Sequence, residues 1–432
     1  MTSLFFLFGF FASMEYANTD KKGSPLKKSS MRTVNTDPPF IEDVLESYSV
    51  ITDLTKLALG SSHWHPPCDE LSRLLIEENQ ADIHRYGSIM GMTDLRNKII
   101  EKHQLSGPDM STMEVMVTAG ANQAFVNAAL TICDDGDNAI ILSPFYFSHK
   151  STLQLAGVNI HTNEFNATTL KPNWDSLRSQ IIELKPSIMV LTNPNNPSGM
   201  IYSENDIENI IDICKLTNTW LVVDQTYYEF YYNNNIHIFP CGTKYNYDRI
   251  IHLFSFSKSF GMPGWRVGYL LYPLHLSPQI RKIQDAFPTH CSMIGQALAL
   301  RMMKYDEEHQ EQYGQSWVAS RVSSLNEVRA AVWDAVSQTG PVHSEGAFYF
   351  LIPVPSLVSE EEAVDILATK YGVLLMHGGP FGAKQHLRLS YGSLPPEDVI
   401  AAADRLKNGL AFLLRLSQER SIEQEDRERS FS

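Results

Sequence analysis

The stretch "IIHLFSFSKSFGMPGWRVGYLLY", residues 250–272, contains two apolar runs joined by a polar turn. The runs "IIHLF" and "VGYLLY" are short and show no strict alternation of apolar and polar residues, which predicts strands buried on both faces of a sheet. Lys258 follows the first run, and Arg266 comes eight residues later. A charge at the end of a buried strand has either a structural partner or a chemical task, because an unpaired buried charge is costly.

Similar apolar runs precede this stretch from about residue 115, and segments with helical spacing lie between several of them. Before "TWLVVD", for example, Ile207, Ile210, Ile211 and Cys214 fall on one face of a helix. Alternating strands and helices predict the α/β class, with a mostly parallel sheet and helices on both faces. The other expected strands are "EVMVT", "NAIILS", "SIMVLTN" and "TWLVVD".

The length of 432 residues is enough for two domains, or for one large domain with an added lobe. We expect a large domain at residues 72–307 and a smaller α+β lobe built from residues 31–71 and 308–416. A helix from about residue 396 to residue 416 completes this lobe. Its apolar face is expected to contain Val399, Ala402, Leu406, Leu410 and Leu413.

Both ends of the chain differ from the rest in composition. Residues 3–12, "SLFFLFGFFA", are apolar but too few to span a bilayer, and no basic residue precedes them. We expect residues 1–30 to be a disordered extension or a weak targeting segment of a cytoplasmic protein, with cleavable export as the alternative. Residues 417–432 carry mixed charge, which predicts a disordered tail.

The overall charge and the cysteines bear on the kind of partner. A formal net charge of −14 argues against nucleic acid or an anionic membrane as the main partner. The five cysteines are scattered, odd in number and form no Cys-x-x-Cys pair. This pattern argues against a disulfide framework or a zinc site and favours reduced thiols. We expect small-molecule partners and no metal site.

Glycines and polar residues follow the predicted strands at their carboxyl ends, where ligands collect in an open parallel sheet. Gly120, Ala121 and Asn122 lead from one strand into a helix, where free amides and the positive end of the helix dipole can bind a phosphate. Tyr146, after the next strand, can lie flat on an aromatic ligand. The alternatives are a simple turn for the glycine and a core aromatic for the tyrosine.

The next two strands end in groups that can hold a polar ring. Asn196 lies in the rigid turn "NPNNPSG" and offers an amide donor, although turn chemistry alone explains that composition. Asp224 ends an apolar strand and needs a partner there, and Tyr227 follows it by three residues. A helix N-cap is the alternative role for this aspartate.

The turn around Lys258 supplies further groups: Ser255, Ser257 and Arg266 can share a phosphate, which the arginine binds through two hydrogen bonds. One ligand would use all of these residues. It needs a phosphate, an aromatic ring, a ring nitrogen that pairs with a carboxylate, a phenolate oxygen that accepts from Asn and Tyr donors, and a carbonyl carbon that an amine attacks. That ligand is pyridoxal 5'-phosphate.

Three residues are therefore predicted to take part in catalysis. Lys258 is the Schiff-base lysine, and its amine, once displaced by substrate, carries the proton from the substrate Cα to the C4′ atom of the cofactor. Asp224 keeps the ring nitrogen protonated, so that the ring can accept electrons. Tyr227 bonds the phenolate oxygen.

The chain resembles the class I/II aminotransferases of the fold-type-I pyridoxal-phosphate superfamily. The resemblance implies that Arg388 binds the substrate α-carboxylate, that Asn196 and Tyr227 bond O3′ of the cofactor, and that Asp224 bonds its ring nitrogen. It also implies a homodimer with shared active sites, in which Tyr86 reaches the phosphate of the neighbouring subunit. The motifs that carry it run in family order over residues 57–416: "YGSIMG", "TAGANQAF", "SPFYF", "NPNNPSG", "DQTYYEF", "SFSKSFGMPGWRVGY", "GAFYF" and "LRLSYG".

A narrower resemblance is to the plant methionine-dependent aromatic aminotransferases, which move an amino group between methionine and indole-3-pyruvate or phenylpyruvate. Many relatives carry "LGxGxP" near the substrate carboxylate, whereas this chain has "LGSSHWHPP", with Ser62 and Trp64 at the Gly and Pro positions. Gly60 and Trp64 are therefore candidate substrate-binding residues, as is Asn196, with packing between the lobes as the alternative for Trp64. No arginine lies between Arg281 and Arg301, where aspartate-specific relatives supply a second carboxylate clamp, and this favours apolar or aromatic substrates.

Two alternatives stay open at the level of sequence. The same scaffold can carry a C–S β-lyase or an ACC-synthase-like enzyme, because the motifs hardly report which bond of the substrate is broken. A non-catalytic regulator that binds the same cofactor is the alternative of another class, although such proteins normally add a basic helix-turn-helix segment. The intact Lys258 argues against a regulator.

Overall fold

The computed structural model describes residues 29–67, 69–70, 72–73, 83–105, 110–232, 239 and 242–431. The predicted extension at residues 1–30 lies almost entirely outside the described residues. No helix of the described part is both long and apolar enough to cross a membrane.

The centre of the molecule is a seven-stranded sheet. All six strands expected from the sequence between residues 115 and 272 are confirmed. Its strands are β2 (Met113–Thr118), β3 (Asn138–Ile141), β4 (Asn159–Thr162), β5 (Ile188–Thr192), β6 (Trp220–Asp224), β7 (Ile250–Ser255) and β8 (Gly268–Pro273).

The sheet has the order β2-β8-β7-β6-β5-β3-β4. The five neighbouring strands β4, β3, β5, β6 and β7 are parallel to one another. Strand β8 pairs antiparallel with both β7 and β2. The predicted mostly parallel sheet is thus confirmed. The sequence did not reveal β4, because this edge strand has the polar sequence "NIHT" and no buried residue.

Alternate residues of the central strands pack against helices on opposite faces. In β6, Leu221 and Val223 belong to one apolar core, whereas Val222 belongs to the other. The described helices of this region are α3 (Thr93–Leu105), α4 (Ala121–Ile132), α5 (Phe147–Leu155), α6 (Trp174–Leu184), α7 (Glu204–Lys215), α8 (Gly242–Tyr245), α9 (Phe256–Ser259), α10 (Ser277–Ala286) and α11 (Met293–Tyr313).

The second lobe contains residues from both ends of the chain, as the sequence predicted. Strand β1 (Thr55–Lys56) pairs in parallel with β10 (Val373–Leu374), and a separate antiparallel sheet has the order β11-β12-β9. These last strands are β9 (Tyr349–Pro353), β11 (Met376–His377) and β12 (His386–Ser390). The helices of the lobe are α1 (Met31–Val34), α2 (Phe40–Ser47), α12 (Trp317–Ser323), α13 (Leu325–Val336), α14 (Glu360–Tyr371) and α15 (Pro396–Phe431).

The last helix differs from the prediction at its C-terminal end. Its apolar face is buried as expected, but the helix continues through residues 417–431, where we predicted a disordered tail. Arg420 accounts for part of the extension, because it donates hydrogen bonds of 2.8 Å to both carboxylate oxygens of Glu362 and one of 2.7 Å to the carbonyl of Leu357. The predicted border near residue 307 lies inside α11, so one continuous helix joins the two regions.

Strand β8 approaches the start of α4 so closely that only glycine fits at position 268. A Cβ atom there would lie 2.6 Å from the carbonyl oxygen of Phe254 and 2.8 Å from the backbone nitrogen of Ala121. Both are backbone atoms and cannot rotate away. A side chain at position 268 would therefore separate the sheet from the turn at residues 120–121.

We expect Gly268→Ala to lower the free energy of unfolding of the cofactor-free protein by about 1–3 kcal/mol, because overpacking forces backbone shifts. Gly264→Ala is the matched control, since no atom of the described residues, apart from the two chain neighbours, lies within 4 Å of a Cβ at that position. Urea unfolding followed by circular dichroism measures both variants. Equal unfolding midpoints for the two would show that the close approach is not a constraint.

Candidate active site

The carboxyl ends of β5, β6 and β7, the start of α4 and the strands of the second lobe surround one cavity of about 730 Å³, counted to its open mouth. The structure thus brings together residues that are far apart in the chain. The predicted site residues that line it are Gly60, Ala121, Asn122, Tyr146, Asn196, Asp224, Tyr227, Ser255, Ser257, Lys258, Arg266 and Arg388.

Three predicted site residues do not line this cavity. Gly120 lies immediately beside it, as the residue before α4. Tyr86 is 91% exposed and lines a separate surface depression with His290. Trp64 is buried: its indole N–H donates a 3.0 Å hydrogen bond to the carbonyl of Ser259, and its ring stacks on Phe230. The observed contacts of Trp64 are therefore those of a packing residue, which was the alternative to substrate binding.

Asp224 is held as a carboxylate at the end of β6. His149 lies 3.0 Å from one carboxylate oxygen, and the other accepts hydrogen bonds from the backbone N–H and the hydroxyl of Thr226 at 3.0 and 2.7 Å. Burial alone would raise the pKa of Asp224, but the hydrogen bonds and charge from His149 and the Thr226 donors lower it below its ordinary value. A cation or a protonated ring nitrogen fits beside this group.

Lys258 lies on the single turn of α9 at the carboxyl end of β7, and its amine donates a hydrogen bond to the carbonyl of Gly60. Desolvation by burial lowers the pKa of this amine to about 8, and the positive charges of Arg388 and Arg266 act in the same direction. Asp224 opposes the shift. More of the amine is therefore unprotonated at neutral pH than in an ordinary lysine, which suits a nucleophile.

Arg388 is 1% exposed and lies on β12 of the second lobe. One terminal nitrogen donates to Oδ1 of Asn196 at 3.1 Å, and the other donates to the carbonyl of Ala58 at 2.7 Å. The guanidinium lies 4.4 Å from the ring centroid of Phe381 and 5.1 Å from that of Tyr349. Among the described residues, its Nε has no hydrogen-bond partner, so this buried cation can still bind an anion.

The turn before α4 is built for close approach to a ligand. Gly120 has φ of 86°, and a Cβ there would lie 2.5 Å from the guanidinium of Arg266. That guanidinium also donates to the carbonyl of Ala119 at 3.3 Å. On the neighbouring strand β7, which pairs with β8 at Gly268, Oγ of Ser255 accepts a 3.1 Å hydrogen bond from the backbone N–H of Ser257. The helix start, the two serines and the arginine can together bind a phosphate.

Sequence reasoning missed several residues of the site. His149 holds Asp224, and its position three residues after Tyr146 on α5 was the available signal. Thr226 follows Asp224 by two residues, as in a side-chain turn. Tyr349 lies in the motif "GAFYF", to which no role was attached, and nothing in the sequence indicated that Ile41 of α2 lines the cavity.

These residues fit pyridoxal 5'-phosphate. The lining carries three cationic side chains and one carboxylate, so an anionic ligand is favoured. The Nε of Arg388, which has no partner within the described part of the chain, can accommodate a further acceptor such as a carboxylate. The amine of Lys258, the carboxylate of Asp224 and the phosphate-binding turn match the aldehyde, ring nitrogen and phosphate of the cofactor.

Comparisons with known proteins agree with this site. The family model for aminotransferase class I and II matches residues 55–406. The aromatic aminotransferase ISS1 of Arabidopsis thaliana is 36% identical over 395 residues, which cover 89% of this chain and 97% of that protein.

Two solved structures share the fold. A double mutant of the Thermus thermophilus aspartate aminotransferase has a TM-score of 0.79 and 23% identity, covering 89% of this chain and 100% of that one. The aromatic aminotransferase of Pyrococcus horikoshii has a TM-score of 0.75 and 24% identity, covering 88% and 99%. The chain belongs to the class I and II aminotransferase family, and it is a pyridoxal-phosphate-dependent transaminase.

Proposed function

We propose that this transaminase moves an amino group between an apolar or aromatic L-amino acid, with methionine as a favoured donor, and a 2-oxo acid such as phenylpyruvate or indole-3-pyruvate. The observation that carries this proposal is the set of cations around the cavity. Among the described lining residues, the lysine and arginine side chains are Lys258, Arg266 and Arg388. If one binds the cofactor aldehyde, one its phosphate and one the α-carboxylate, none is left for a second substrate carboxylate.

The rest of the lining favours an apolar substrate side chain. Ile41 of α2 contributes an aliphatic group, and Tyr146 and Tyr349 contribute aromatic rings. These surfaces can bury an aromatic or thioether side chain with a hydrophobic gain and without an unpaired polar group. The similarity to a protein named as an aromatic aminotransferase supports the same substrate class.

Each site residue has a role in this proposal. Bound pyridoxal 5'-phosphate would supply an aldehyde that takes up the amino group and a ring that withdraws electrons from the substrate Cα. Arg388 binds the α-carboxylate, and the amine of Lys258 takes the proton from Cα. Asp224 keeps a proton on the ring nitrogen, while Tyr227 donates a hydrogen bond to the phenolic oxygen.

The dimer with shared active sites is part of the same proposal. Tyr86 is exposed and lies outside the cavity, so it can reach a phosphate only in another copy of the chain. Its ring contacts His290 edge-on, with centroids 5.8 Å apart, and this surface is the proposed contact region. Light scattering of the holoenzyme measures the molar mass, and a monomer would contradict the shared site.

Incubating the purified holoenzyme with methionine and phenylpyruvate tests the substrate class. We expect phenylalanine to form in proportion to the methionine consumed, and much less product when aspartate replaces methionine. Elimination on the same scaffold would instead release ammonia and a 2-oxo acid without any acceptor. Faster turnover with aspartate than with methionine, or ammonia release without an acceptor, would contradict the proposal.

The role of Arg388 is tested by Arg388→Met. We expect kcat/KM to fall by roughly 30- to 5000-fold, equivalent to about 2–5 kcal/mol, because the substrate carboxylate loses a buried charge partner. Arg420→Met is the control: this arginine of the last helix pairs with Glu362 of α14, and neither residue lines the cavity. Steady-state kinetics of both variants decide, and a loss of similar size in both would show that Arg388 has no special role.

The low pKa of Lys258 predicts a pH dependence. In the cofactor-free protein, the rate at which this amine reacts with formaldehyde and cyanoborohydride should rise as the pH passes about 8, because the neutral amine is the reactive form. At pH 7 about one-tenth of the amine is neutral, against roughly one part in 3000 for an ordinary lysine. Mass spectrometry of the Lys258 peptide gives the profile, and a midpoint near 10.5 would contradict the account.

A further inference from the structure

Tyr349 joins the two halves of the active site, and its hydroxyl contacts groups from both. It is fully buried at the start of β9 and lines the cavity. Its hydroxyl lies 2.5 Å from the hydroxyl of Tyr227, and the two rings meet edge to face with centroids 5.5 Å apart. A Cβ atom at Gly60 would lie 2.5 Å from the same hydroxyl.

The ring of Tyr349 also packs on the group proposed to bind substrate. The guanidinium of Arg388 lies 5.1 Å from the centroid of that ring, a cation–π distance. Tyr349 and Arg388 come from neighbouring strands of the second lobe, since β9 pairs with β12. Tyr227, in contrast, follows β6 of the large sheet, so the bond between the two hydroxyls crosses from one lobe to the other.

The direction of this hydrogen bond follows from the proposed role of Tyr227. A hydroxyl has one hydrogen to donate. If Tyr227 donates its hydrogen to the phenolic oxygen of the cofactor, it can only accept from Tyr349. Burial raises the pKa of Tyr349 to about 12 and that of Tyr227 well above its ordinary value, so both hydrogens are present at neutral pH. A hydroxyl that accepts a hydrogen bond becomes a stronger donor.

We propose that Tyr349 is a positioning residue. The hydroxyl of Tyr349 orients Tyr227 and strengthens the hydrogen bond that Tyr227 donates to the phenolic oxygen of the cofactor. This inference rests on the proposed function of Tyr227. The ring of Tyr349 at the same time supports Arg388. In this arrangement the hydroxyl of Tyr349 acts through Tyr227, and its ring acts through Arg388. Loss of the hydroxyl changes the electronic state of the bound cofactor, whereas the ring keeps the substrate clamp in place.

The holoenzyme variant Tyr349→Phe tests the proposal by the pH titration of the bound cofactor's absorbance. A donor to the phenolic oxygen stabilises its negative charge after proton loss, so weaker donation should raise the pH midpoint, by roughly 0.3 to 1 unit. We expect kcat to fall while KM for the amino acid changes little, because the ring beneath Arg388 remains. Tyr232→Phe is the matched control: its buried hydroxyl bonds the carbonyl of Ala347, and the midpoint should not move.

Tyr227→Phe and the double variant Tyr227→Phe/Tyr349→Phe separate this inference from the proposed function. If Tyr349 acts through Tyr227, the double variant has the same midpoint as Tyr227→Phe alone. The double variant also removes both hydroxyls, so no buried hydroxyl is left without its partner, and we expect the protein to fold. An unchanged midpoint in Tyr349→Phe, or additive shifts in the double variant, would overturn the inference. No shift in Tyr227→Phe itself would overturn the role of Tyr227 as well.

Discussion

The convergence of three cationic side chains on one small, partly desolvated cavity is the constraint on which the active site depends. Lys258, Arg266 and Arg388 converge there, and Asp224 is the one carboxylate among the described lining residues. Burial is the main reason that the pKa of Lys258 is low, and the positive charges of Arg388 and Arg266 lower it further. The same excess of positive charge favours an anionic ligand in the cavity. The two arginines thus contribute both to the reactivity of the lysine and to the affinity for anions.

The fold creates this crowding by joining distant parts of the chain. The carboxyl ends of the parallel strands supply Asp224 and Lys258, whereas the second lobe supplies Arg388, and the chain near Gly60 accepts the lysine hydrogen bond. Hydrogen bonds across the boundary, from Arg388 to Asn196 and between Tyr227 and Tyr349, couple the two regions. A change in the position of the second lobe therefore moves Arg388 and Tyr349 relative to Asn196 and Tyr227 together.

The sequence predicted those parts of the molecule whose signal is local. Buried strands leave short apolar runs, and the residues that follow them, such as Asp224 and Lys258, lie in one cavity because parallel strands end at the same edge. Contacts between residues that are far apart in the chain leave no comparable pattern in the sequence. The indole of Trp64 bonds the turn that carries Lys258, and Tyr349 contacts Tyr227 over 122 residues of sequence. The helix after residue 416 was missed because its anchor, Glu362, lies on another helix.

Covalent attachment of pyridoxal 5'-phosphate to Lys258 is the most direct measurement of the central claim. The purified protein is incubated with the cofactor, reduced with borohydride, digested and examined by mass spectrometry, with Lys258→Ala treated in parallel. The account predicts one cofactor per chain, located on the Lys258 peptide, and none in the variant. An unmodified Lys258 peptide, or the same amount of cofactor bound covalently in the variant, would contradict it.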